Sequence, residues 1–183
     1  MLPGGLGLRT DYIKTDTVAV LLYALNEKNR LACELSLATG WRIDDVLSLK
    51  TEQLQRIQNS KRKRLTVTES KTGKSSTRYI PAELFNNLMA IAGTIYVFEG
   101  RDDYRKHRTR QAVYIDLKNA ARRFRIRQNL APHSLRKNYA VYLREQGMTL
   151  EQIQAKLNHS DLTTTMIYAF ADELDARRNR KKK

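Results

Sequence analysis

The chain is poor in cysteine, proline, tryptophan and acidic residues, and each shortage excludes a class of protein. Its 183 residues contain one cysteine, three prolines, one tryptophan and 19 Asp/Glu against 34 Lys/Arg. The lone Cys33 cannot form an internal disulfide or complete a thiolate metal site. Within an apolar helical run it reads as a small buried core residue in a reducing compartment. The three histidines, His107, His133 and His159, match no tight metal-ligand spacing, and no HExxH occurs, so no metal site is expected. There is no Walker A loop for a nucleoside triphosphate. Carboxylates are sparse and not grouped for two-metal catalysis. No stretch approaches the roughly 20 apolar residues of a spanning helix. Met1 to Gly7 lacks the charged start and long apolar block of a signal peptide. A cytoplasmic protein is expected.

What is present is positive charge. The net charge of +15 on an otherwise ordinary globular composition (41% hydrophobic, 29% charged) implies a polyanionic partner, with nucleic acid favoured over a membrane surface. The charge is clustered: residues 101–127 hold ten Lys/Arg against three Asp/Glu, and residues 177–183 add six more. Candidate DNA-contacting residues are Lys61, Arg62, Lys63, Arg64 and Lys74 in the middle of the chain, then Arg105, Arg108, Arg110, Arg122 and Arg123. For any one of them a solvated surface is the simpler reading; the clustering is what points to phosphate. Which residues read bases is not legible, because phosphate contacts position and only groove-edge contacts specify.

Periodicity predicts a mainly α fold with one small antiparallel β-sheet inserted near the middle. Residues 1–14 read as a flexible lead-in, 15–175 as one domain and 176–183 as a basic tail. Asp16 is placed to cap a helix striped by Val18, Leu21, Leu22 and Leu25. A second helix carries Leu31, Leu35 and Ala38 and stops at Gly40. A short helix follows Trp41, on which Arg42 and Asp45, three apart, are expected to meet. Residues 61–70 and 75–80 read as strands around a turn at 71–74. Pro81 opens a helix, Thr109 caps a long one with Val113, Leu117, Ala120, Ala121 and Phe124 inward, and the chain from Pro132 is helical with breaks at Gly147 and near Asn158.

His133 and Arg136 share a helix face just after Pro132, where a helix N-terminus favours a phosphate. Arg42 and Arg136 can each grip non-bridging phosphate oxygens with a planar fork, and stabilise charge that builds during attack on a phosphodiester. Lys71, on the hairpin turn, is either a solvated turn residue or an ammonium able to protonate a leaving sugar oxygen. Without metal or nucleotide, such chemistry needs a side-chain nucleophile or water, and Tyr168 is the candidate.

Five segments then fall in order: Ala38-Thr39-Gly40-Trp41-Arg42-Ile43-Asp44-Asp45-Val46-Leu47-Ser48-Leu49, Ser70-Lys71-Thr72-Gly73-Lys74, His133-Ser134-Leu135-Arg136, Leu157-Asn158-His159-Ser160 and Tyr168. Together they resemble the catalytic domain of the tyrosine recombinase (phage integrase) family, over about residues 15 to 175. The resemblance implies that Arg42, Arg136 and His133 bind a scissile phosphate with Asp45 in support, that Lys71 is the general acid, and that His159 donates to the phosphate. It implies that Tyr168 is a nucleophile forming a 3′-phosphotyrosyl link, with no cofactor. The implied partner is double-stranded DNA, bound as a tetramer on paired recombination sites by a protein that is a monomer in isolation, encoded by a bacterium or a phage. The chain departs from the pattern in having Asn158 where the family has Gly, and residues 1–14 are too few to supply the N-terminal core-binding domain that completes a clamp on DNA in that family, so the expectation is either a catalytic-domain fragment or a short single-domain member. Two alternatives stay open on the residues alone: a DNA-binding regulator without catalysis, and a type IB topoisomerase-like relaxing enzyme.

Overall fold

Residue 10 is the first that the computed structural model describes and residue 180 the last. Among the described residues the chain forms ten helices and one two-stranded sheet. The order is α1 (Thr15–Tyr23), α2 (Glu27–Thr39), α3 (Ile43–Leu47), α4 (Thr51–Gln55), β1 (Arg64–Thr68), β2 (Ser75–Tyr79), α5 (Ala82–Ile91), α6 (Arg110–Arg123), α7 (Pro132–Glu145), α8 (Leu150–Leu157), α9 (Leu162–Ala169) and α10 (Ala171–Arg180). The mainly α expectation with one hairpin holds. None of these helices is long and apolar enough to cross a membrane.

Two apolar clusters organise the body. The larger gathers α1 to α6 and the hairpin around Leu31, Leu35, Trp41, Val46, Leu47, Leu65, Phe85 and Leu117. The smaller joins α7, α8 and α9 through Tyr139, Leu143, Ile153, Leu157 and Ala169. Helix α7 belongs to both, with Leu135 in the first and Tyr139 in the second, so residues near its start lie at the seam.

A lone two-stranded hairpin is marginal in water, so its anchorage decides whether it can place a side chain. Antiparallel β1 and β2 pair Arg64 with Tyr79 and Thr68 with Ser75. Alternation sends Leu65 and Val67 into the core. Trp41 is 1% exposed, and its indole N–H donates to the buried Ser76 hydroxyl at 2.7 Å. Burying an indole of this size contributes up to about 4–6 kcal/mol of transfer free energy, enough to pin the sheet to the end of α2.

That end turns sharply. Gly40 adopts φ +73° and closes α2 through its N–H on the Ser36 carbonyl. A Cβ there would run into the Tyr139 ring. Gly40→Ala therefore combines left-handed backbone strain with overpacking of a buried ring, and a loss of about 2–4 kcal/mol is expected in urea unfolding. An unchanged midpoint would show that the turn relaxes freely.

Several local expectations are corrected. Asp16 lies in the first turn of α1 rather than capping it, since Lys14 is the flanking residue. Phe124 follows the end of α6 and is 40% exposed. Helix α4 was not expected; it is fixed by Thr51, whose N–H donates to the Ile95 carbonyl and whose hydroxyl donates to that of Gly93. Of the lead-in expected over 1–14, residues 1–9 lie outside the described residues, and residues 10–13 are packed chain. Ile13 is 1% exposed, and its N–H and carbonyl both bond the Asn138 side chain. The tail expected from 176 continues α10 through Arg180; residues 181–183 lie outside the described residues.

Candidate active site

Helices α3 and α7 and the hairpin turn meet around a cleft of about 230 Å³, lined by Arg42, Ile43, Asp44, Ser70, Lys71, Arg110, Pro132, His133 and Arg136. Three of the predicted site residues arrive from three different local devices. Arg42 flanks α3 in extended conformation (ψ 144°), so its side chain leaves the helix face. Lys71 is exposed on the turn between the strands. His133 follows Pro132 at the first position of α7.

Arg136 is only 2% exposed. Its guanidinium donates to the carbonyls of Gly40 and Leu157, which belong to the C-terminal ends of α2 and α8. Those are helix-end carbonyls without intrahelical partners, carrying the negative end of each dipole, so they suit a buried cation. The Leu157 carbonyl is presented because Asn158 takes the left-handed conformation (φ 49°) that closes α8. Asparagine tolerates that conformation, so the substitution of Asn for Gly leaves the turn intact. Burial, and then the neighbouring Arg42 charge, hold the Arg136 guanidinium down at about 10, still cationic at neutral pH.

His159 and Tyr168 complete the group. The Tyr168 hydroxyl lies 3.4 Å from Nδ1 of His133. Its ring meets the His159 ring edge-on, with centroids 5.0 Å apart. His159 Nδ1 lies 3.2 Å from the buried Thr165 hydroxyl. Of the six predicted residues, Arg42, Lys71, His133 and Arg136 line the cleft, and Tyr168 and His159 adjoin it behind His133.

Asp45 is placed differently from expectation. It does not meet Arg42; its Oδ1 accepts from the Ser70 N–H at 2.9 Å and the Ser70 hydroxyl at 2.8 Å, while its buried Oδ2 has no hydrogen-bond partner. The three-residue spacing misled because Arg42 precedes the helix rather than lying on it. Its carboxylate partner is Glu69, a 1%-exposed residue at the end of β1 that sequence reasoning passed over. The available signal was a single carboxylate in a stretch otherwise rich in lysine and arginine. Burial pushes the Glu69 carboxyl up, but hydrogen bonds from Arg42 and Thr72 outweigh it and hold it below the usual range.

The predicted DNA contacts divide. Arg110, the first residue of α6, lines the cleft and stands 3.7 Å from Asp44. Lys61, Arg62, Arg64 and Lys74 are exposed on or beside the hairpin. Lys63 instead closes the preceding turn, donating to the carbonyls of Gln58 and Ser60. Arg108 is half-buried on Asn29, and Arg105 pairs with Asp103 at 3.1 Å. Arg122 and Arg123 are exposed at the far end of α6, roughly 18 Å along the axis from Arg110 at 1.5 Å per residue, so they are not part of the cleft.

The electrostatic state is a cationic cleft beside two imidazoles and a phenol held towards their neutral forms. Burial, then Arg110, Arg136 and Arg42, depress the His133 imidazole, and burial with Arg136 and Arg42 brings His159 to about 4. Burial raises the Tyr168 phenol, opposed by the two arginines. Because both histidines are depressed in the folded state, their contribution to stability is complete above the unfolded value of 6.5. It is lost as pH falls from there towards about 4. The melting temperature should decline over that window, and His159→Gln should flatten the slope; a slope unchanged in the variant would assign it elsewhere.

The phage integrase family model matches residues 11–174. A tyrosine recombinase of Thermosipho africanus is 30% identical over 170 residues, which are 86% of this chain and 56% of that protein. The XerH site-specific recombinase bound to palindromic difH substrate, in a post-cleavage complex, superposes with a TM-score of 0.69 at 16% identity, over 92% of this chain and 52% of that one. The catalytic domain of bacteriophage HP1 integrase gives 0.63 at 22% identity, over 89% of each chain. The chain spans 56 to 60% of the length of the curated relatives it matches first.

Proposed function

Because the chain belongs to the phage integrase family, we propose that it is the catalytic domain of a site-specific DNA recombinase, cutting and rejoining double-stranded DNA through Tyr168. The observation that carries this reading is the Tyr168 hydroxyl 3.4 Å from Nδ1 of His133, a residue that lines one cleft with Arg42, Lys71 and Arg136 of the same chain. On this reading the nucleophile acts in cis.

The chemistry follows from the charges. Arg42 and Arg136 hold the non-bridging oxygens of a phosphodiester and offset the charge that grows on them in the transition state. Tyr168 Oη bonds to phosphorus while the bond to the 5′-oxygen breaks. The phenol proton passes to neutral His133 Nδ1, and Lys71 supplies a proton to the departing 5′-oxygen. The 3.4 Å separation of phenol and imidazole is long for a finished hydrogen bond and suits a site that tightens on substrate. His159 steadies the Tyr168 ring edge-on and, once the anion is present, donates to it. A 5′-hydroxyl from a second strand reverses the step, releasing tyrosine. The phosphotyrosyl link conserves the bond energy, so no cofactor is required. Strand exchange between two duplexes, each cut twice, calls for four protomers, and DNA as substrate puts the reaction in the cytoplasm of a bacterial host.

The test begins with a duplex recovered by this chain from a random-sequence pool, nicked beside the cleavage point so that a short fragment diffuses away. The expected result is a covalent protein–DNA band on a denaturing gel, with the linkage mapped to the peptide containing Tyr168. Tight binding with no adduct would replace this reading with a DNA-binding regulator. Adduct formation without exchange between two duplexes would replace it with a relaxing enzyme.

A further inference from the structure

The hairpin turn is fastened to the Arg42 segment on both sides of Lys71. Before it, Ser70 binds Asp45 Oδ1 through N–H and hydroxyl at 2.9 and 2.8 Å. After it, the Thr72 hydroxyl donates to Glu69 Oε2 at 2.9 Å, the same oxygen that takes Nη1 of Arg42. The turn is also closed on Glu69 by its backbone, Glu69 N–H to the Lys74 carbonyl at 2.9 Å and Gly73 N–H to the Glu69 carbonyl at 2.8 Å. Lys71 is the exposed residue between these ties and reaches the cleft.

We propose that Glu69 and Thr72 are positioning residues that set Lys71 and Arg42 as one unit, so that the proton donor and the phosphate clamp are aligned together. The carboxylate touches neither phosphate nor leaving group; it acts through the two cations. A buried carboxylate is costly unless paired, and one oxygen shared by a guanidinium and a turn hydroxyl makes the position of each partner depend on the other. Arg42 spends Nη1 on Glu69 and keeps its remaining N–H groups for an anion. The inference rests on the assignment of Lys71 as general acid, and the experiment separates the two.

Single-turnover cleavage by the full chain is compared on two versions of the same nicked duplex, one with the ordinary 5′-oxygen at the scissile bond and one with sulfur there. A thiolate leaves without being protonated, so a sulfur substrate bypasses the acid. The enzymes are wild type, Lys71→Ala, Glu69→Gln and Thr72→Val, the last altering an exposed residue that leaves folding intact. Expected for Thr72→Val and Glu69→Gln is a loss of roughly ten- to a hundredfold on oxygen. On sulfur most of the Thr72→Val loss should be recovered, as for Lys71→Ala, and only part of the Glu69→Gln loss, because the Arg42 clamp that Glu69 holds is needed on both substrates. Losses by both variants that are equal on the two substrates, or no loss on either, overturn the proposal while leaving the acid intact. A Lys71→Ala defect that sulfur does not relieve sinks the acid assignment itself, and with it the proposal.

Discussion

Tyr168→Phe removes the covalent adduct and leaves DNA binding and folding in place. The substitution deletes one oxygen. What it costs the fold is the long contact to His133, while the edge-on packing against His159 remains, so stability should change by no more than about 1 kcal/mol. What it costs the reaction is the nucleophile. Among the described residues the one hydroxyl that lines the cleft is that of Ser70, whose proton is already given to Asp45. Cleavage of the nicked duplex should fall by at least about 10⁴-fold, to below detection on a denaturing gel. Adduct persisting in the Phe variant would move the nucleophile elsewhere; loss of DNA binding along with it would make Tyr168 a structural residue.

Arg136→Lys should damage chemistry and fold together. The guanidinium spans two carbonyls, of Gly40 and Leu157, at the ends of α2 and α8, and still faces the cleft. An ammonium keeps the charge but is a compact donor that cannot reach both carbonyls and an anion at once. One carbonyl left unpaired in the interior costs about 1–3 kcal/mol, readable as a lower urea midpoint at constant m-value. Loss of the fork from the phosphate should slow single-turnover cleavage by about 10²–10³-fold. A Lys variant as stable as wild type would mean the two carbonyl bonds contribute nothing net.

What the sequence revealed was whatever depended on local rules. Gly40 ends α2, Thr109 caps α6 through its hydroxyl on the Ala112 N–H, Pro132 opens α7, and Asn158 turns the chain after α8. Those points set the ends of the helices that bring Arg42, Arg110, His133 and Arg136 to one cleft. The pairing of Arg42 with Glu69 was not legible, because the two are 27 positions apart and meet only after the hairpin folds back on α3. Nor was the division among the basic residues. Composition reports that Arg110, Arg122 and Lys63 are cations, whereas only the course of α6 and of the 57–60 turn shows that one lines the cleft, one lies far from it and one is spent on backbone carbonyls.

Residues 10–13 carry a consequence of a mechanical kind. They lie across the molecule, bonded at Thr10 to Lys137, at Asp11 to Asn129, at Tyr12 to Asp175 and at Ile13 to Asn138. Two of those partners, Lys137 and Asn138, are the next two residues along α7 from Arg136, so the seating of residues 10–13 and that of the helix holding the phosphate clamp are set together.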